Sequence, residues 1–272
     1  MANPFDISGR TIAITGGGGV LCGGLAQYLA SQGAVVAVLD LKLEAAEAVA
    51  KKINAQGGRA VAVGCNVLQR QSVELALIRC EQLLGKVEIL INGAGGNHPM
   101  ATTGPDKSFF DMPADAFEKV MDLNILGTVL PSMIFGKPMA QRGEGIILNI
   151  ASMNAFRPLT RIPAYSAAKA GVKNFTEWLA VHMAQEYSPK IRVNGIAPGF
   201  MLTEQNRFLL TDKATGELTP RGKSIISHTP MNRFGTDEDL YGTVHWLLSP
   251  ASAFVTGVTV PVDGGFSAFS GV

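Results

Sequence analysis

The 272-residue chain carries 23 Lys and Arg against 22 Asp and Glu, a formal net charge of +1. With no run of like charges, it offers no electrostatic footprint for nucleic acid or an anionic membrane surface. Its 47% hydrophobic residues and 31 glycines are enough to bury a full core, as one large α/β domain or two small ones. Small molecules and other subunits are left as partners.

Cys22, Cys65 and Cys80 are an odd count without CxxC spacing. They point away from a disulfide framework or a zinc site and towards a reducing compartment. The four histidines show no ligand spacing, so no metal is expected. Residues 1–9 lack a basic segment followed by an apolar stretch, which fits a cytoplasmic location. The charge-free stretch 123–136 contains Gly127 and Pro131 and is shorter than a bilayer span of roughly 20 residues. It reads as a buried helix.

In chain order, short β-branched runs at 11–15, 35–39, 60–63, 87–91, 146–150, 191–196 and 258–262 predict seven strands. Most are apolar throughout, as parallel strands covered on both faces are. Segments between them, such as 43–56 and 69–84, carry apolar residues at helical spacing. The expected fold is α/β: a Rossmann-type doubly wound parallel sheet with helices on both faces. No repeat or linker divides it, so residues 1–272 read as a single domain. Two segments, 93–113 and 198–230, are longer than ordinary connections and lie after strands, on the rim that can carry chemistry.

The first strand runs into Thr15-Gly16-Gly17-Gly18-Gly19-Val20-Leu21-Cys22-Gly23 and a helix, and Asp40 closes the second strand. Glycines let backbone approach a pyrophosphate, and the helix start faces its charge. An acid at roughly 20 residues beyond the glycines can accept from both adenosine ribose hydroxyls and would repel a 2′-phosphate, favouring NAD over NADP. The loop is also compatible with a plain tight turn, and Asp40 with capping the helix that begins near Leu43.

Tyr165 and Lys169, at i and i+4, share a helix face, and Ser152 follows the fifth strand onto the rim. A tyrosine with a pKa of about 10 is a poor base near neutrality, and a nearby ammonium favours its phenolate, so Lys169 is expected to lower the pKa of Tyr165.

These segments resemble the short-chain dehydrogenase/reductase family across nearly the whole chain. The loop is similar to the family's Thr-Gly-x-x-x-Gly-x-Gly, except that Val20 and Cys22 stand at its two later glycines. Asn66-Val67 is similar to the Asp-Val beside adenine, and Asn92-Gly93-Ala94-Gly95 to the family's Asn-Asn-Ala-Gly turn. The resemblance implies NAD contacts at Gly16, Gly18, Gly19, Val20, Leu21, Asp40, Asn66, Val67, Asn92, Ala94, Gly95, Tyr165, Lys169, Pro198, Gly199 and Thr203. It implies a catalytic tetrad of Asn124, Ser152, Tyr165 and Lys169, in which the tyrosine exchanges the proton, the serine binds the substrate oxygen and the lysine also holds the nicotinamide ribose. Asn124 would support a water relay to that lysine. Homotetramers are common in the family, and the tail from Phe266 would pack at such an interface.

Around the rim stand Asn97, His98 and Lys107, then Asn154, Arg157 and Arg161, then Gln205, Asn206 and Arg207. Singly each could be a solvating side chain. Together with Ser152 and Tyr165 they suit a polyhydroxylated acid, cations meeting its carboxylate and amides its hydroxyls. Gly96-Asn97-His98-Pro99, 152–156, 199–207 and the ending 263–272 resemble the D-mannonate oxidoreductase (fructuronate reductase) branch, with gluconate 5-dehydrogenases as neighbours. A nucleotide-sensing relative without catalysis usually loses the tyrosine or lysine, both present here, and a scaffold role leaves the catalytic set unexplained.

Overall fold

A computed structural model describes residues 3–203, 207–212 and 215–271. β1 (Thr11–Thr15) leads into α1 (Val20–Ser31), β2 (Val35–Asp40) into α2 (Leu43–Ala55), and β3 (Arg59–Gly64) into α3 (Arg70–Leu84). β4 (Ile89–Asn92) is followed by a rim segment, α4 (Ala114–Met121), a π-helical turn (Asp122–Leu126) and α5 (Gly127–Arg142). β5 (Gly145–Ile150) precedes α6 (Pro163–Glu186). After β6 (Ile191–Pro198) the second rim segment holds two short helices, α7 (Arg207–Leu210) and α8 (Pro220–Ser227), before α9 (Glu238–Leu248) and β7 (Thr259–Val262).

The seven strands form one parallel sheet in the order β3-β2-β1-β4-β5-β6-β7. Successive residues of a strand point to opposite faces. Ile12, Ile14, Ile89, Ile91 and Leu148 accordingly join Leu25, Leu29, Ile53 and Leu247 in one core. Ala13, Leu90 and Ile147 join Val73, Phe135, Met139 and Leu179 in the other. Two cores, one on each side, are why these strands read as apolar throughout. β2 runs one residue past the apolar run because Asp40 still pairs with Gly64, and this carries its carboxylate to the carboxyl end of the sheet.

Between β1 and β4 the strand order reverses, and the turns leaving their carboxyl ends flank a crevice. They are pressed together. The Thr15 hydroxyl accepts hydrogen bonds from the Gly93 (3.1 Å) and Ala94 (3.2 Å) amides. Gly16 has φ +65°, and a Cβ there would lie 2.9 Å from the Ala94 backbone.

The same crowding explains one departure from the family glycine pattern. Cys22 is buried in α1, and its Sγ occupies the space facing Gly93, where a Cβ would come within 2.2 Å of it. The residue without a side chain has moved from the helix to the turn opposite it. Gly93→Asn should therefore destabilise by about 1–3 kcal/mol through overpacking, and adding Cys22→Gly should recover part of that loss. Denaturant unfolding of the two single variants and the double checks this; additive losses would show that the pair is not matched.

Candidate active site

Pro163 opens α6, where its missing N–H costs nothing, and the first two turns then carry Tyr165 and Lys169 on one face. Lys169 is buried and donates to the Ile150 carbonyl at the end of β5 (2.8 Å), with its Nζ 5.6 Å from the Tyr165 ring centroid. Asn124 sits in the π-helical turn, where one extra residue in the helical ladder re-aims side chains. Fully buried, it donates to the Gly96 (2.7 Å) and Val120 (2.8 Å) carbonyls and accepts from the Gly96 amide (3.2 Å). The turn after β4 passes so close that a Cβ on Gly95 would lie 2.7 Å from Asn124 Oδ1 and 3.2 Å from Lys169 Nζ.

Ser152 is set from behind by Asn154. Its Oγ accepts from the Asn154 amide N–H (3.3 Å) and from Nδ2 (3.1 Å). A hydroxyl has two acceptor lone pairs and one proton, so with both acceptor roles filled by Asn154 the proton is left for the cleft that Tyr165 also lines. Asn154 Oδ1 in turn accepts from Ser166 Oγ (3.0 Å) and the Leu159 amide (3.1 Å). The amide expected to meet substrate is thus buried and engaged on all sides, bracing the serine, α6 and the loop between them.

Burial pushes the Tyr165 pKa above its ordinary value of 10, opposed by the hydrogen bond from Ser152. The lowering expected from Lys169 does not occur in the protein alone. Burial instead brings the lysine itself down to about 8, with the sulfur of Cys22 acting in the opposite direction. At neutral pH the tyrosine is a phenol, a proton donor.

A cleft of about 460 Å³ runs from Asp40 to this centre. Gly16, Gly19, Val20 and Leu21 line it at the α1 end, Ala94 and Gly95 in the middle, and Pro198, Gly199 and Thr203 along the β6 side. Asp40 accepts from the Gly18 (3.0 Å) and Lys42 (2.9 Å) amides, while the N-cap of α2 is Lys42, so the carboxylate ties to the glycine loop instead of capping the helix. Gly18 packs behind the cleft, where a Cβ would lie 2.7 Å from that of Ala45. Asn66, Val67 and Asn92 are not on the wall. Asn66 accepts from Leu68 within its own turn, Val67 is buried beside Gly127, and Asn92 donates to Ser132 and Asn149. Phe200 and Met201 also line the cleft. Apolar residues just after a strand carry no sequence signal that separates a ligand wall from core. An open glycine-lined crevice beside a helix start, with an acid at one end and a hydroxyl pair at the other, fits a nicotinamide dinucleotide.

Of the rim residues, Asn97 donates to Thr102 (2.9 Å) and His98 accepts from the Met100 amide (3.2 Å), folding their own loop. Arg157 donates to the Ser267 carbonyl (3.1 Å), and Arg161 holds φ +74° while its carbonyl accepts from Thr103 (2.8 Å). Arg207 is exposed at the start of α7; Gln205 and Asn206 lie outside the described residues. Among the described residues no group of three His, Cys, Asp or Glu could hold a metal, and no helix is long and apolar enough to cross a membrane.

Residues 10–214 match the short chain dehydrogenase family. The chain is a short-chain dehydrogenase/reductase. Across 98% of both chains it is 49% identical to an uncharacterized oxidoreductase, UxuB, of Bacillus subtilis (strain 168). A Haemophilus influenza protein provisionally assigned as a D-mannonate oxidoreductase and solved with bound NAD superimposes with a TM-score of 0.93 at 47% identity, over 98% of each chain. The 5-keto-D-gluconate 5-reductase of Escherichia coli (strain K12) is 33% identical over 97% of this chain and 98% of its own. The oxidoreductase family and the Rossmann-type fold are thereby established.

Two outcomes follow from the geometry. Asn154→Ala should lower kcat roughly tenfold or more with little change in NADH affinity, because Ser152 loses one of the two donors that aim its proton; unchanged kcat would show that Ser152 needs no brace. The pH profile of kcat/KM for ketone reduction should fall as pH rises through about 8, where Lys169 loses its proton. A flat profile through that range would contradict the assigned role of its ammonium.

Proposed function

We propose that this short-chain dehydrogenase/reductase uses NAD(H) and interconverts D-mannonate and D-fructuronate. The observation that carries the cofactor reading is Asp40, whose carboxylate lines the cleft at the glycine loop. Two of its acceptor positions are taken by amides, and the rest remain for paired ribose hydroxyls. A 2′-phosphate there would meet like charge. Gly16, Gly19, Val20 and Leu21 would hold the pyrophosphate at the start of α1, and Lys169 with Thr203 the nicotinamide end. The relative solved with NAD supports the same reading.

When bound, NADH supplies the hydride that converts the ketone carbon to an alcohol. Tyr165 transfers its phenolic proton to the carbonyl oxygen and is reprotonated from solvent. Ser152 donates a hydrogen bond to the same oxygen, and the Lys169 ammonium stabilises the phenolate left behind. The reverse direction uses the same groups.

The sugar-acid reading is supported by the full-length likeness to the relative assigned to D-mannonate and by Arg157, Arg161 and Arg207 at the rim. Asn97, His98 and Asn154 join them as the proposed substrate set, Asn154 acting through Ser152. Mannonate and gluconate are oxidised at the same carbon and differ in configuration at C2, so the choice between them is made near the carboxylate. The likeness to 5-keto-D-gluconate 5-reductase makes that reaction the second reading. We also take the chain as a single cytoplasmic domain, in keeping with its three buried free thiols, and as a homotetramer. Met133 on α5 with Trp178 and Val181 on α6, each more than half exposed, supports a subunit contact there. Phe266 packs edge-on against Phe200 of its own chain, centroids 5.3 Å apart.

Rates with NADH and D-fructuronate, D-tagaturonate, 5-keto-D-gluconate or 2-keto-D-gluconate test the substrate: D-fructuronate should lead. A preference for 5-keto-D-gluconate moves the enzyme to the second reading, and inactivity on all four removes the sugar-acid reading. Asp40→Ala should weaken NADH binding and narrow its preference over NADPH; an unchanged ratio would contradict the role given to this carboxylate.

A further inference from the structure

Beside the cofactor cleft lies a second cavity, of about 720 Å³, within the usual range for small-molecule sites. Phe200 belongs to the walls of both, so the two spaces meet across one aromatic ring. Arg157 and Arg161, from the loop between β5 and α6, face it from one side and Arg221, from α8, lines another. Among the described residues no Asp or Glu lines it. Among the described residues the side chains of Arg161 and Arg221 have no hydrogen-bond or ion-pair partner, and Arg157 is held only through Nε to the Ser267 carbonyl. Arg233, by contrast, forks onto Asp239 with bonds of 2.7 and 2.6 Å, and Arg70 meets Glu74 at 3.2 Å. Three arginines around one cavity, with no carboxylate among its described lining residues, favour an anion there.

The supports of these side chains are built in. Gly222, next to Arg221, lies so close to α7 that a Cβ would come within 2.2 Å of the Leu210 carbonyl oxygen, and Thr219 caps α8 through the Gly222 amide (3.1 Å). On the facing loop, Arg161 is held in the left-handed region at φ +74°, a strained position for a residue with a side chain, and its carbonyl is tied to Thr103. Asn154, which aims the Ser152 hydroxyl, also holds this loop at Leu159. The arginine loop and the serine that binds the reacting oxygen therefore share one anchor.

We propose that this cavity is the anion subsite of the enzyme, and that Arg221 and Arg161 bind the carboxylate end of a substrate whose carbonyl lies across Phe200 at Ser152 and Tyr165. Guanidinium forks match carboxylate geometry, and Arg221, which motif reasoning does not reach, becomes a specificity-determining residue. The substrate class is a hydroxy acid long enough to reach from the tyrosine past the phenylalanine, and neutral polyols are disfavoured. The identity of that acid rests on the sugar-acid reading above; the charge of the subsite does not.

Calorimetric titration of the protein–NAD complex with D-mannonate, D-gluconate and the neutral D-mannitol tests this in wild type, Arg221→Gln, Arg221→Lys and Arg161→Gln. Wild type should bind at least one of the acids roughly tenfold or more tightly than mannitol. Arg221→Gln and Arg161→Gln should each weaken acid binding about tenfold to a hundredfold, with NAD and mannitol affinity unchanged, and Arg221→Lys should restore part of the loss. Acid binding that is unaltered in both glutamine variants, or a wild type that does not prefer either acid to mannitol, overturns the proposal. Acids that bind through Arg221 without D-mannonate being oxidised would leave the subsite standing and remove the mannonate reading. D-mannonate oxidised with equal kcat/KM in wild type and both glutamine variants would do the reverse.

Discussion

The turns that leave β1 and β4 are packed so tightly that neither has room for one additional carbon, and the rest of the site hangs on that contact. Thr15 pins the second turn through two amides, Gly16 and Ala94 touch backbone to backbone, and Cys22 fills the hollow opposite Gly93. Because the turn after β4 is fixed there, its next residues reach Asn124 and Lys169, and the π-helical turn places Asn124 to bond Gly96 in both directions. The cleft proposed for NAD and the buried Lys169 are thus held by one stretch of backbone. Pre-organisation of this kind is what lets fixed dipoles act on a developing charge without rearranging first.

The chemistry depends on where two hydroxyl protons point. Both acceptor positions of Ser152 are occupied by Asn154, so its proton is left for the cleft that Tyr165 also lines. Burial keeps Tyr165 protonated and brings Lys169 to about 8, which suits the site to donating a proton to a ketone at neutral pH and makes the lysine the group sensitive to alkaline conditions.

Much of the fold was legible because β1 to β6 each serve two cores. β1 agrees residue for residue with its apolar run, and β5 differs by one residue at its start. Ser152, Tyr165 and Lys169 were legible because helical spacing and a strand end place them without long-range information. Asp40 was read in two ways from its position, and only its bond to Gly18 decides that it faces the loop. What stayed hidden depends on contacts far apart in sequence. Asn154 looks like a rim amide until its four hydrogen bonds, to Ser152, Leu159 and Ser166, are known, Asn92 like a cofactor contact until Ser132 and Asn149 are seen beside it. In the protein alone burial is the larger influence on both Tyr165 and Lys169, and helical spacing carries no sign of it.

The claim on which everything else rests is that Tyr165 gives its proton to the substrate oxygen as hydride arrives. Single-turnover oxidation of bound NADH by the preferred keto acid, followed in wild type and Tyr165→Phe, measures it directly. The step should slow by about 10²–10⁴ in the variant while NADH binds as before; a variant that turns over at the wild-type rate would place the proton donor elsewhere.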